Sequence, residues 1–375
     1  MLNNRLLLRL IAVCAFAAVL AIPTPSRGEE SGSSSGDSSG EHAAVAAATR
    51  VPATTPTATG AAGAAAPQSP AEVYNWSRNE LWQEHYDALE KAANQWRDSK
   101  EAYGNGDWKL TAFYDGIAAI PIKPEESKKQ FNNVREWVKQ MPDSITASIA
   151  LAAMLKSYAW QARGSGRIDT VTEEGYDLFQ ARLTEARGVL REAKKLKAKC
   201  PHWWAVTQDI AMGQSWPLDA YDGLYKEAIK FEPDYFPYYS QKLFLLLPRW
   251  RGERGDSEEF ALAAANRMGG EKGDVLYARL MKQFFLDEGH LHDEVEVSFE
   301  KLDKGLTILD KKHPDNVDLK SMWARFCRIT GTPENEATRR KRAARLLKEI
   351  EALLPPNETP LVLGLKDLRA WLAAK

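Results

Sequence analysis

The side chains best suited to recognition in this sequence are aromatic residues and arginines that crowd into one stretch of the chain. Arginine over an aromatic ring makes a cation–π contact, and exposed Tyr, Trp and Arg dominate many protein interfaces. Large aromatics also fill helical cores, and Arg249 beside Trp250 has a purely structural explanation of this kind. The stretch contains Trp203, Trp204, Trp216, Tyr235, Phe236, Tyr238, Tyr239, Arg249, Trp250 and Arg251. The turn Arg163 to Gly166 is a second candidate for partner binding. Together, the predicted partner-binding residues are Trp160, Arg163, Tyr238, Tyr239, Arg249, Trp250 and Arg251.

The densest group of metal-ligand side chains is His290-Leu-His292-Asp293-Glu294. Two histidines separated by one residue, together with a carboxylate, can bind zinc when a strand or an ordered loop presents them on one side. Here the group precedes a helix, and Asp293 is better explained as a helix cap. We therefore predict a solvated loop, with no metal and no cofactor.

Acidic residues are plentiful, but their arrangement does not indicate an acid–base pair. The doublets Glu173-Glu174 and Glu258-Glu259 lie at helix starts, where the helix dipole favours negative charge. The chain contains no His-Glu-x-x-His, no Gly-x-Ser-x-Gly, no phosphate loop and no dinucleotide glycine pattern. We predict no catalytic residues.

The one basic run is a further candidate contact surface, for an acidic partner or for lipid headgroups. It contains Arg339, Arg340, Lys341, Arg342 and Arg345. The simpler interpretation is the solvated face of a helix, because Lys341, Arg342 and Arg345 lie together, away from the leucine-rich apolar side of the same predicted helix.

The elements that position these residues are predicted to be helices, because apolar side chains recur every three or four positions after about residue 75. Phe179, Leu183 and Leu190, together with Tyr176, form one stripe of a surface helix. The stretch 145–159 has apolar residues on two sides and few charges, so it should lie inside a stack of helices. Further helices are expected near 77–102, 125–140, 257–268, 273–287, 316–328, 333–353 and 362–373.

Three Pro-Asp pairs predict joints between helices, at Pro142-Asp143, Pro233-Asp234 and Pro314-Asp315. Proline cannot continue the preceding helix, and aspartate can accept hydrogen bonds from the free amides of the next one. Residues 201–233 form one near-complete helix-turn-helix unit whose length approaches the 34 residues of a tetratricopeptide repeat. The other joints do not keep this period. The predicted fold is all-α, with tetratricopeptide-like stacked helical hairpins (an α-solenoid) preceded by a disordered linker.

The N-terminal residues have the layout of an export signal. Residues 1–28 carry arginines, then a 13-residue apolar stretch from Leu10 to Ile22, then a polar run. An uncleaved anchor is the weaker alternative, since a membrane-spanning helix needs about 20 residues. Residues 29–72 are rich in Ser, Gly, Ala, Thr and Pro and cannot offset the entropy of ordering, so they form a disordered linker. We expect a periplasmic or extracellular all-α domain at 73–375, with the linker as its tether to the envelope.

Charge and cysteine content exclude two further classes of protein. The formal net charge is −1, and removal of residues 1–28 takes away three arginines and no acid, which lowers it by three to −4. Without a basic excess, nucleic acid is not an expected partner. Only Cys200 and Cys327 lie beyond the signal, so they either pair with each other or remain buried thiols, and a disulfide scaffold is excluded.

Several motifs give a resemblance to a known family. They are Tyr158-Ala-Trp-Gln-Ala-Arg-Gly-Ser-Gly166, Val171-Thr-Glu-Glu-Gly-Tyr-Asp-Leu-Phe179, Leu246-Leu-Pro-Arg-Trp-Arg-Gly252 and Gly106-Asp-Trp-Lys-Leu110. Across residues 78–285 the chain resembles the bacterial domain of unknown function 4034 family. The resemblance implies an exported, tetratricopeptide-like helical domain and lends no activity.

Two functions follow as hypotheses. The leading one is a non-enzymatic interaction module of the bacterial cell envelope that binds a protein or peptide on a helical surface. The alternative is an enzyme with a helical cleft that acts on glycan or peptidoglycan. The enzyme requires carboxylates that converge in a closed aromatic pocket, whereas the interaction module requires an open groove.

Overall fold

The computed structural model describes residues 67–164, 166, 170–288, 297–354 and 365–374. This part of the chain forms fifteen α-helices and no β-strand, which confirms the all-α prediction. The helices are α1 (Pro70–Trp82), α2 (Tyr86–Ser99), α3 (Lys109–Ile117), α4 (Pro124–Gln140), α5 (Ile145–Arg163), α6 (Glu173–Ala193), α7 (His202–Gly213), α8 (Leu218–Phe231), α9 (Pro237–Leu245), α10 (Asp256–Met268), α11 (Gly270–Glu288), α12 (Phe299–Lys312), α13 (Val317–Ile329), α14 (Glu336–Leu353) and α15 (Leu365–Ala373).

Helix α5 is the central element, as its sequence predicts. Its residues from Ile145 to Leu155 are all buried, and it packs against α4, α6 and α7. Helix α6 buries Phe179, Leu183 and Leu190 as expected. Tyr176, however, is 43% exposed and lies outside the packed stripe.

The three Pro-Asp pairs all lie between helices, but aspartate is not the capping residue. Helix α5 is capped by Ser144, whose hydroxyl accepts from the amide of Ala147 at 2.9 Å. Helix α13 is capped by Asn316 through the amide of Leu319 at 3.0 Å. In both joints the cap is the residue after the Asp, whose side-chain oxygen accepts from the amide three positions later.

The helices differ from the sequence prediction in three ways. The helix expected at 77–102 is two helices, which meet at Glu84 with a positive φ of 60°. Helices α3 and α9 were not predicted, since nine residues are too few for a clear period. Helix α1 begins at Pro70 with Ser69 as its cap, so the last residues assigned to the linker belong to the folded part.

Helices adjacent in sequence pack together, and a second pattern connects alternate helices. Helix α1 contacts α3, α3 contacts α5, α5 contacts α7, α7 contacts α9, and α9 contacts α11. These odd-numbered helices from α1 to α11 therefore form a continuous row, which we call the inner row. Side chains on neighbouring members of this row can meet although they lie far apart in sequence.

The connection 100–108, which we call the brace, packs against much later parts of the chain. Its Asp107 forms an ion pair with Arg279 of α11, and Lys100 Nζ lies 2.7 Å from Glu232 Oε2. Gly104 packs against His313, and a Cβ atom there would lie 1.3 Å from the imidazole ring, so a larger residue would require this ring to move. The brace thus connects the N-terminal helices to the joint after α8, to α11 and to the joint after α12.

No helix in the described ranges is long and apolar enough to span a bilayer. The predicted signal at 1–28 and the linker up to residue 66 lie outside these ranges. Cys200 and Cys327 are buried free thiols and do not pair. Burial raises the pKa of both, that of Cys327 to about 12.

Candidate functional site

The residues predicted to bind a partner divide into a core group and a surface group. Tyr238 and Tyr239 are only 0% and 2% exposed. Their hydroxyls donate to the carbonyls of Pro201 and Pro233, both at 2.9 Å. They belong to the core and cannot contribute to an exposed patch, because their hydrogen bonds are satisfied within the fold.

The structure brings Trp160, Arg163 and Trp250 together. The two indole rings meet edge to face at 5.6 Å, and the Arg163 guanidinium lies 5.5 and 5.7 Å from their centres. Arg163 also donates to the carbonyls of Gly164 and Gly166 at 3.2 and 3.1 Å. Its pKa is lowered by burial. These contacts fix the turn after α5, so the observed role of this group is structural.

Arg249 and Arg251 are the exposed members of the predicted set. Arg249 lies 5.1 Å from the centre of Phe244 rather than over Trp250, and Arg163 makes the cation–π contact with Trp250 instead. Arg251 donates to the carbonyl of Trp216 at 3.4 Å. The two arginines stay accessible at the end of α9, but no described aromatic side chain next to them is fully exposed.

The basic run is largely engaged in contacts within the chain. Arg342 forms a two-pronged pair with Asp303 of α12 at 2.9 and 2.8 Å, and Arg345 lies 3.8 Å from Asp310. Arg339 is buried and donates to the carbonyl of Cys327 at 2.8 Å. The prediction of a solvated face holds for Lys341 and Arg345, which are exposed, but it is incorrect for Arg339, which is buried, and Arg342 is only partly exposed.

The predicted loop around His290 and His292 lies outside the described residues. Within the described residues, no group of three His, Cys, Asp or Glu side chains is placed to hold a metal ion.

Polar residues on the inner row form a cluster that sequence reasoning did not identify. Its members are Asp115 on α3, Lys156 on α5, Asp209 on α7 and Gln241 on α9, and we call it the groove cluster. Lys156 Nζ lies 3.1 Å from Asp209 Oδ2, and the two side chains are 13% and 5% exposed. The amide of Gln241 also donates to the Asp209 carboxylate. Asp209 is thus a buried carboxylate with two partners.

Asp115 differs from Asp209 because it is exposed and has neither a hydrogen bond nor an ion pair with any described residue. Desolvation by the surrounding protein nevertheless raises the pKa of Asp115 to about 6, against the opposing effect of Lys156. The negative charges of Asp107 and Asp209 raise it further. We refer to the accessible surface of the inner row around Asp115 as the groove.

Apolar packing holds Asp115 in this position. On α3 the buried side chains Leu110, Phe113, Tyr114 and Ile117 face the core, which turns Asp115 to the opposite side. Tyr114 stacks on His202 of α7 at 4.3 Å, and His202 Nδ1 lies 2.7 Å from the hydroxyl of Tyr235. Burial, assisted by Lys156, lowers the pKa of His202 to about 3, so this histidine is neutral at physiological pH. An uncharged, buried aromatic layer therefore lies between α3 and α7.

One sequence signal could have identified two members of the cluster. Lys156 is the single charged residue between Ile145 and Gln161, and Asp209 is the single acid in α7. Isolated charges within apolar helices require a partner. Only the structure shows that the helices carrying them are neighbours.

Two surface depressions of about 570 and 510 Å³ lie away from the groove cluster. The first is lined by Asp143, Leu196, Lys197 and Ala198, and the second by Glu173, Glu174, Asp177, Leu178 and Ala181. Neither is lined by an aromatic side chain. The second depression has three carboxylates, but neither has the aromatic rings expected of a glycan-cleaving pocket.

Comparison with family models, curated proteins and solved structures found no match to this chain. The resemblance to the family of unknown function therefore stays a prediction from the quoted motifs.

Proposed function

We propose that this protein is an exported, non-enzymatic interaction module of the bacterial cell envelope, which holds a protein or peptide in the groove along its inner row. We further propose that the helices stack as tetratricopeptide-like hairpins. Contacts between successive odd-numbered helices support this arrangement, since each hairpin of such a stack touches its neighbours through one layer of helices.

The observation that carries the proposal is the state of Asp115. A charged group in a partly desolvated position loses part of its hydration, and a structural carboxylate in such a position normally has a cationic partner. Asp115 is exposed and has no such partner among the described residues. A ligand that enters the groove would supply the missing contact.

The proposed location rests on the sequence of the first 72 residues. An export signal followed by a tether of Ser, Gly, Ala, Thr and Pro would place the helical domain at a distance from a membrane or wall. This arrangement suits a module that must reach a partner. It gives no advantage to an enzyme with a diffusible substrate.

The test is site-specific photo-crosslinking in cells that produce the full chain. A p-benzoylphenylalanine residue replaces Ala112, which is partly exposed and lies one turn before Asp115 on α3. The control replaces Asp177, which is exposed on α6. We expect a discrete adduct from position 112 that is absent from position 177. No adduct, or the same adducts at both positions, would contradict the proposal.

One observation favours the enzyme as a second candidate. A carboxyl with a pKa near 6 that feels the charge of a second carboxylate, Asp209, resembles the pair of carboxyls that glycosidases use for acid catalysis. Against this, Asp209 is already engaged by Lys156 and Gln241. Release of reducing sugars from peptidoglycan by the wild-type chain, but not by Asp115→Asn, would replace the first proposal with this one.

A further inference from the structure

The connection between α6 and α7 carries four lysines within six residues. All four are exposed to solvent, and they are Lys194, Lys195, Lys197 and Lys199. Trp203, at the start of α7, donates its indole nitrogen to the carbonyl of Leu190 near the end of α6 at 2.8 Å. This hydrogen bond holds the two helix ends together, so the connection presents its lysines from a defined position.

The end of α8 borders this connection and adds two more lysines. Phe231, the last residue of α8, stacks on Trp204 at 4.3 Å, and Glu227 Oε2 lies 4.0 Å from Lys194 Nζ. Lys226 and Lys230 are exposed on the same part of α8, one helical turn apart. We call the combined surface the lysine face, and its basic members are Arg191, Lys194, Lys195, Lys197, Lys199, Lys226 and Lys230.

The lysine face has an excess of positive charge. Its seven basic residues lie beside three acidic ones, Glu192, Glu227 and Asp143, which leaves an excess of four. The whole chain, by contrast, has 50 basic and 51 acidic residues. A local excess of one sign on a balanced chain produces a potential that attracts the opposite charge.

The ends of the helices explain only part of this excess. Lys199 Nζ donates to the carbonyls of Lys194 and Leu196 at 2.7 and 2.6 Å, so it caps the end of α6 as lysines commonly do. Lys197, Lys226 and Lys230 form no hydrogen bond or ion pair with a described residue. These three charges therefore have no partner within the described fold.

Apolar side chains lie within the same surface. Phe231 is 43% exposed, and Trp204 and Leu196 are partly exposed. Leu196 also lines the depression of about 570 Å³, together with Asp143 and Lys197. Because a carboxylate lies beside the lysine there, this depression does not suit a single small anion. The positive charge is thus spread over the surface rather than gathered in a pocket.

We infer that the lysine face docks on the surface of a bilayer that contains anionic lipids. Spread lysines with Phe, Trp and Leu side chains among them suit a layer of negative headgroups above an apolar interior. The ammonium groups contact the headgroups, and the exposed ring of Phe231 enters the boundary. A discrete phosphate or carboxylate would instead require converging donors, for which arginine is better suited.

This inference goes beyond the proposed function, because the lysine face does not include the groove cluster. Lys156 and Asp209 lie further along α5 and α7, away from the ends that border the lysine face.

Co-sedimentation of the full chain with lipid vesicles tests the inference. One set of vesicles is phosphatidylcholine alone, and the other contains about one third phosphatidylglycerol, which is anionic. The test variant combines Lys197→Glu with Lys230→Glu. The matched control combines Lys91→Glu on α2 with Lys128→Glu on α4, two exposed lysines that also lack a partner among the described residues. Every variant keeps residues 1–28, so binding through their apolar stretch is common to all.

We expect the wild type to bind the anionic vesicles at least about tenfold more tightly than the neutral ones, and to lose this preference at about 0.5 M salt. The test variant should bind the anionic vesicles more than about tenfold more weakly, since each lysine contributes about fivefold at such a surface, and the control should change by less than about twofold. Phe231→Ala should weaken binding by about threefold to fivefold, because part of a ring no longer enters the apolar boundary.

Equal binding to both kinds of vesicle, no binding to the anionic vesicles, or equal losses in the test and control variants would overturn the inference. In the absence of vesicle binding, capture of a hexaglutamate peptide by the wild type would assign the lysine face to an acidic protein segment instead. Full binding by Phe231→Ala would refute insertion of the ring. If circular dichroism shows that charge reversal disturbs the fold, Lys197→Gln with Lys230→Gln repeats the comparison, with Lys91→Gln and Lys128→Gln as its control.

Discussion

Replacing Asp115 with asparagine should stabilise the folded chain at about pH 8. In the unfolded chain this carboxyl ionises near its ordinary pKa of 3.8, and in the folded chain near 6. The folded state therefore holds the proton more tightly, and ionisation costs folding energy. That cost grows as the pH rises from about 4 to about 6 and is constant above this window. Asp115 also lies in the last turn of α3, where the helix dipole disfavours negative charge. Asparagine removes the charge and with it the cost.

The expected gain in unfolding free energy follows from the shift in the pKa of Asp115 and from the exposure of its side chain. A shift of this size would correspond to about 3 kcal/mol at 1.36 kcal/mol per unit if the carboxylate were fully enclosed. Asp115 is exposed, and water screens most of such an interaction at accessible sites. We therefore expect about 1 kcal/mol at pH 8 and only a small remainder at pH 4.

Urea denaturation followed by circular dichroism at the two pH values measures this difference. The midpoint of Asp115→Asn should lie above that of the wild type at pH 8, and the two should nearly coincide at pH 4. Asp177→Asn provides the control for removal of an exposed carboxylate. A lower midpoint for Asp115→Asn at pH 8 would mean that the carboxylate has a stabilising partner. An equal gain at both pH values would mean that its charge is not the cause.

Other substitutions test the interior of the fold. Lys156→Met should destabilise the chain by about 3 kcal/mol in urea denaturation, because it leaves Asp209 on α7 buried and unpaired. A loss below about 1 kcal/mol would show that water replaces the lysine. Gly188→Ala should stabilise α6 by about 0.5 to 1 kcal/mol, since nothing lies within 4 Å of the new Cβ. Gly305→Ala should instead destabilise the folded chain by about 1 to 3 kcal/mol, because its Cβ would lie 2.0 Å from a carbonyl oxygen of α11. Equal melting temperatures for the two glycine variants would contradict this packing. Cys200 and Cys327, both buried with raised pKa values, should react with a thiol reagent only on unfolding, and fast reaction of the native chain would refute their burial.

Sequence patterns predict the long, well-marked elements of this fold. Helix α5 has an unbroken apolar run, and Pro142 and Pro314 mark joints, so their positions follow from local chemistry. The break at Glu84 has no proline or glycine to signal it, although this residue adopts a positive φ of 60°, which residues other than glycine rarely do. Short helices such as α9 have too few residues for a clear apolar period, so their positions depend on packing against neighbouring helices.

The candidate site could not be predicted for a different reason. Aromatic content identified residues such as Tyr238, but composition does not distinguish a core ring from an exposed one. The groove cluster depends on contacts between alternate helices, and its members Asp115 and Gln241 come from distant positions in the sequence. Isolated charges on apolar helices indicate that partners exist, and only the packing of the helices shows which ones.

The brace has a consequence for the order in which the molecule is built. Asp107 and Arg279 are 172 residues apart, so the first helices leave the ribosome long before their docking surface has been synthesised. Contacts of such sequence separation form late, because loop closure must precede them. The first helices can pack on one another as they emerge, but the brace closes against its distant partners only when residue 279 and the joint after α12 have been made.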